Sequence, residues 1–188
     1  MTSRWAVDIA SDRNITIHWR PISLLIKNNV ASDSPWYPKA AKTHGLLRVF
    51  ESVRASEGEA PLSELYTAYG RRIHHDQNID FDPAEALIEA GIDPVHAKAS
   101  DDESWDDVIR AHMEAGLALT GTDVGTPILG FDNAAGERVG FFGPVISRRL
   151  EHHDALNLWD GIMLTAGIGS FWELKRTRTE SPSFGERP

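Results

Sequence analysis

Two triplets in the sequence carry the residue types of a metal site, His74-His75-Asp76 and His152-His153-Asp154. Imidazole and carboxylate are common ligands for zinc and related ions. Adjacent residues on a helix, however, point about 100° apart, so each pair presents one imidazole to any single site, unlike two histidines spaced four apart. No metal is therefore expected. The run from Arg71 to His75, with Arg72 and His74 as weaker site candidates, reads more simply as a solvated helix end where the helix dipole favours positive charge. Sulfur chemistry is excluded outright: the 188 residues include no cysteine, which removes disulfides, thiolate ligands and nucleophilic thiols.

Composition sets further bounds. At 41% hydrophobic residues the chain is long enough for one domain with a proper core, or one carrying a sizeable insertion. A net charge of −9 and the shortness of its basic clusters argue against nucleic acid and anionic membranes as partners. Lys175, Arg176 and Arg178 form a charged surface strip, with an anionic partner as the alternative role. No apolar run approaches the roughly 18 to 20 residues needed to cross a bilayer, and no signal-peptide pattern opens the chain, so a cytoplasmic location is expected.

The elements that would position any site follow from periodicity. Trp5, Ala6 and Ile9 share one face of an opening helix for which Thr2 is a candidate cap. Residues 15–20 alternate Ile15, Ile17 and Trp19 against Thr16, His18 and Arg20, the pattern of a strand ended by Pro21. Helical stripes follow at Leu46, Leu47, Phe50 and Val53, then at Leu62, Leu65, Tyr66, Tyr69 and Ile73. Asp82-Pro83 and Asp93-Pro94 each read as an N-cap followed by proline in the first turn. Ser100-Asp-Asp-Glu103 has the capping-box pattern for a helix running to about Gly121. Residues 126–131 and 138–142 read as an antiparallel pair joined by a turn at Asn133-Ala-Ala-Gly136, and residues 147–166 as a final helix.

Several stretches together resemble the DsbA-like thioredoxin-fold oxidoreductases of the actinobacterial type, the group of the mycothiol-dependent nitroreductase. They are Thr2-Ser-Arg-Trp5, Leu65-Tyr66 with Arg72-Ile-His74, Asp123-Val-Gly-Thr-Pro127, Phe141-Phe-Gly-Pro144, Leu158-Trp-Asp160 and Glu173-Leu-Lys-Arg-Thr-Arg-Thr-Glu180. The resemblance implies an α/β, thioredoxin-like fold lacking its first, central strand. A discontinuous thioredoxin-like domain would comprise residues 1–24 and 122–170, a helical insertion 25–121 and a tail 171–188.

In that family a Cys-Pro-Trp-Cys motif, or its one-cysteine form, precedes the Thr-Ser-Arg-Trp segment; here it is absent. The expectation is a start codon assigned to an internal methionine, leaving a redox-inactive chain whose complete form uses mycothiol or a similar thiol on a small-molecule or disulfide substrate. Pro127, preceded by Thr126, matches the family's cis-proline, and Asn28, Trp36 and Tyr37 would line the substrate groove or simply pack the insertion. A homodimer is a further expectation. The alternative function is a cysteine-free module binding a peptide or small apolar ligand.

Overall fold

The computed structural model describes residues 1–187, which form two compact units. One comprises Met1–Ile17 and Ala115–Gly185, the other His18–Glu114 and the last residues from Glu186.

In the first unit, α1 (Thr2–Ile9) lies against α7 (His152–Ala166) beside the hairpin of β1 (Ile128–Asp132) and β2 (Arg138–Phe142). Trp5 and Ile9 of α1 are buried with Ala155, as the opening apolar face requires. The Trp5 indole also finds a buried acceptor, donating from Nε1 to the Ala155 carbonyl at 2.9 Å. Asn133 shapes the hairpin turn, its Oδ1 accepting from the Ala135 and Glu137 amides at 3.0 Å each. The antiparallel register sets Gly130 opposite Gly140. Without side chains, these two glycines make room for Leu119, which a Cβ on Gly140 would meet at 2.6 Å.

The second unit is helical. Its core joins Leu46, Val49, Phe50 and Val53 of α3 (Tyr37–Glu57) to Leu62, Leu65 and Tyr69 of α4 (Leu62–Gly70) and Leu87 of α5 (Pro83–Glu89). Asp82 caps α5 by accepting from Ala84 N–H, and Asp93 caps the 3-10 segment Pro94–Asp101 by accepting from Val95 N–H, as the two Asp-Pro pairs predict. A π-helical turn, Arg71–His75, follows α4 and is clamped by ion pairs from Arg71 and Arg72 to Glu89. α6 (Asp106–Thr120) contributes residues to both units.

Three expectations are corrected. The residues expected to form a strand at 15–20 are in no ladder, although their side chains alternate between half-buried and exposed as the sequence predicts. Alternation sets which way side chains point, but a strand also needs a neighbour for its N–H and C=O groups, and the described strands pair only with each other. The fold is accordingly mixed and largely helical, with a two-stranded sheet. Thr2 does not cap α1; its hydroxyl is drawn to Pro144 instead. Ser100 does not open α6, because the 3-10 segment continues through it and Asp102 caps the next turn by accepting from Ser104 N–H at 3.0 Å.

Candidate functional site

The start of α1 offers amide N–H groups that no earlier turn can satisfy. Its surroundings in the first unit are built from the two Pro-containing motifs. Thr2 Oγ1 donates to the Pro144 carbonyl at 2.6 Å, and the neighbouring Gly143 N–H donates to the Pro127 carbonyl at 2.8 Å. Both the Thr126–Pro127 and Gly143–Pro144 peptide bonds are cis. Gly143 sits at φ +104°, a conformation that L side chains rarely adopt, which accounts for glycine there. Two hydrogen bonds thus connect the first turn of α1 to Pro127.

Positive charge collects at the same helix end. Met1, Arg4, Arg148 and Arg149, together with the Asp8 carboxylate, line a cleft of about 10 Å3, room for one water-sized group. Arg149 is held by Asp8 at 3.3 Å, and Arg148 reaches Glu180 at 3.7 Å. Arg4 Nη2 is buried without a hydrogen-bond partner among the described residues. Burial first, and then the Arg4 charge, push the Met1 amine below its usual range. Unpaired helix N–H groups beside a cluster of cations stabilise an anion such as a carboxylate or thiolate.

The remaining groove candidates lie in the second unit. Asn28 is exposed at the C-terminal end of α2 (Leu24–Lys27). Trp36 immediately precedes α3 and is exposed, whereas Tyr37 begins the helix and is half-buried. They therefore belong to a different unit from Thr126 and Pro127. Among the described residues no three histidine, cysteine or carboxylate side chains converge as metal ligands, and no helix is long and apolar enough to cross a membrane.

The structure adds a polar cluster that sequence reading missed. Ser23 Oγ lies 2.9 Å from His44 Nδ1, and His44 Nε2 lies 2.9 Å from Asp106 Oδ1. Hydroxyl, imidazole and carboxylate in this order resemble a nucleophile relay. Ser23, however, is only 1% exposed, and its oxygen already accepts from Ile26 N–H at 3.2 Å. Arg48 occupies both oxygens of Asp106, at 2.6 and 2.8 Å. The cluster is therefore a buried tie joining α2, α3 and α6. Its members are far apart in sequence, so no local spacing announces it.

Residues 1–176 match the family described as Rv2466c-like, mycothiol-dependent nitroreductase Rv2466c. The chain belongs to that family. It is also 31% identical over 183 residues to the uncharacterized protein Rv2286c of Mycobacterium tuberculosis (strain ATCC 25618 / H37Rv), covering 95% of this chain and 76% of that protein. Membership implies a DsbA-like fold, and the family's name associates it with mycothiol. Within the 188 residues there is nevertheless no cysteine.

Proposed function

We propose that residues 1–188 are the substrate-holding scaffold of a mycothiol-linked reductase, with the reactive thiol supplied by a cysteine outside them. The connection of the α1 start to Pro127 through Thr2, Pro144 and Gly143, beside Arg4, carries this reading. A thiolate placed there would gain from the helix dipole and the nearby cations. The only sulfur in the chain belongs to three methionines, whose thioethers form no mixed disulfide with mycothiol. The described residues thus fit the surroundings of a thiolate but supply none.

In this reading the thioredoxin-like arrangement is completed by a strand that pairs with the hairpin and leads into α1. The substrate is a disulfide or an oxidised small molecule, and the setting is cytoplasmic.

The test compares the 188-residue chain with the same chain preceded by the in-frame translation of its upstream DNA, each assayed for mycothiol-dependent reduction of a nitroaromatic compound. The short chain is expected to be inactive and the extended one active. An upstream stop codon, or an extended chain without cysteine or activity, would overturn the proposal. A rise in melting temperature of the short chain with an apolar ligand, in the absence of any thiol activity, would favour a binding module instead.

A further inference from the structure

The segment after α7 carries the hydroxyls of Thr177, Thr179, Ser181 and Ser183. Ser181 differs from the others in lying between two contacts to one stretch of the first unit. Immediately before it, Glu180 Oε1 lies 3.7 Å from Arg148 Nε. Two residues after it, Ser183 N–H donates to the Ser147 carbonyl at 2.7 Å. These contacts hold Ser181 beside Ser147 and Arg148, its Cα one peptide step, about 3.8 Å, from that of Glu180. The residue itself is exposed.

Arg148 and Arg149 are suited to receive an anion at that place. Their side chains are 73% and 79% exposed, and each has a loose carboxylate partner, Glu180 at 3.7 Å and Asp8 at 3.3 Å. Ion pairs this exposed contribute little. A phosphate monoester carries about −1.5 to −2 charges and three strong acceptor oxygens, so it takes a guanidinium from a single carboxylate. Arg4 and the Met1 amine line the same cleft and add to the positive field against Asp8. The sequence supplies the approach as well: Lys175, Arg176 and Arg178 precede Ser181, with Arg178 three residues before it and Pro182 directly after. A basic run placed so is the charge pattern that a protein kinase with an acidic substrate groove selects.

We propose that Ser181 is a phosphorylation site whose phosphate docks on Arg148 and Arg149. A serine/threonine kinase of that class transfers the γ-phosphoryl group of ATP to Ser181 Oγ. The Oγ–P bond forms as the bond to the β-phosphate oxygen breaks, the hydroxyl proton goes to the kinase's catalytic carboxylate, and ADP leaves. The docked phosphate then ties residues 180–183 to 147–149 more firmly than the Glu180 contact does. It also draws Arg148 and Arg149 away from the cleft at the α1 start, which weakens the hold of that cleft on a thiolate; this last consequence alone rests on the reductase reading above.

The site is tested by incubating the 188-residue chain with Mg-ATP and a kinase that selects arginine three residues before serine, then locating phosphate by fragment mass spectrometry. Label at Ser181, lost in Ser181→Ala, is expected; no label, or label only on other hydroxyls, would overturn the site. Docking is read by 31P NMR titration of the chain phosphorylated at Ser181. The second phosphate ionisation should fall below the ordinary value of about 6 and return toward it when Arg148→Gln and Arg149→Gln are combined. A phosphate that titrates at the ordinary value, or one equally shifted with and without the two arginines, would overturn the docking. Neither measurement needs a cysteine, so each can fail while the reductase reading stands, and the reverse.

Discussion

His44 Nε2 and Asp106 Oδ1 lie 2.9 Å apart although 62 positions separate them in sequence. Both ring nitrogens of His44 are thereby engaged, Nδ1 with the Ser23 hydroxyl at 2.9 Å and Nε2 with the Asp106 carboxylate. His44→Ala should cost about 1–3 kcal/mol, because it leaves buried Ser23 without its imidazole partner. Urea unfolding measures the loss, and an unchanged midpoint would show that the tie contributes nothing.

Acid should weaken the same tie. The Arg48 guanidinium holds the Asp106 carboxyl below the usual carboxylate range; partial burial opposes this and the His44 hydrogen bond adds to it. A depressed native pKa contributes stability that is present above the unfolded value of about 3.9 and disappears as pH falls through the native one. Stability should therefore decline below about pH 4, and Asp106→Asn, already less stable at neutral pH, should show a shallower decline. Equal acid slopes for the two proteins would contradict this.

Gly140 is where the sheet tolerates the least. An added Cβ would meet Leu119 Cβ at 2.6 Å and the Leu129 carbonyl oxygen at 3.1 Å, and neither is the far end of a flexible side chain. Gly140→Ala should lower stability by about 1–3 kcal/mol through overpacking. Gly140→Ala combined with Leu119→Gly, which removes the Cβ that the new methyl would meet, should lose less than the sum of the single changes, which a double-mutant cycle reads directly.

Tyr69 gives the opposite sign. Its ring is buried beside Phe81, and its hydroxyl has no hydrogen-bond partner among the described residues. Burial holds the phenol protonated well above the usual range. Tyr69→Phe removes a desolvated hydroxyl without opening a cavity, so the melting temperature should stay level or rise, by up to about 1 kcal/mol of stability. A clear fall would reveal a partner for that hydroxyl, such as a bound water.

What was legible in the sequence was local. The Asp-Pro caps, the Asn133 turn and the apolar stripes of α3 and α4 each depend on residues within one or two turns, and the structure has them in place. Thr2 and Ser100 were misread because both have the chemistry of a cap, while a long-range acceptor at Pro144 and a continuing 3-10 turn won locally. The Ser23, His44, Asp106 and Arg48 cluster, and the link from Thr2 to Pro127 through Pro144, join residues distant in sequence. No periodicity encodes such meetings. Pro127 and Pro144 could be singled out only because their motifs resemble a family.

The unpaired stretch at residues 15–20 has a consequence for how fast the backbone trades protons with water. Ile15 N–H is bonded to the Ala10 carbonyl at 2.8 Å, but from Thr16 to Arg20 no amide is held in a backbone ladder. In heavy water these amides should label within seconds, leaving a deuterated window between the slowly labelling helices α1 and α3. Mass spectrometry of peptic fragments would show it, and any strand that came to lie against this stretch would close the window.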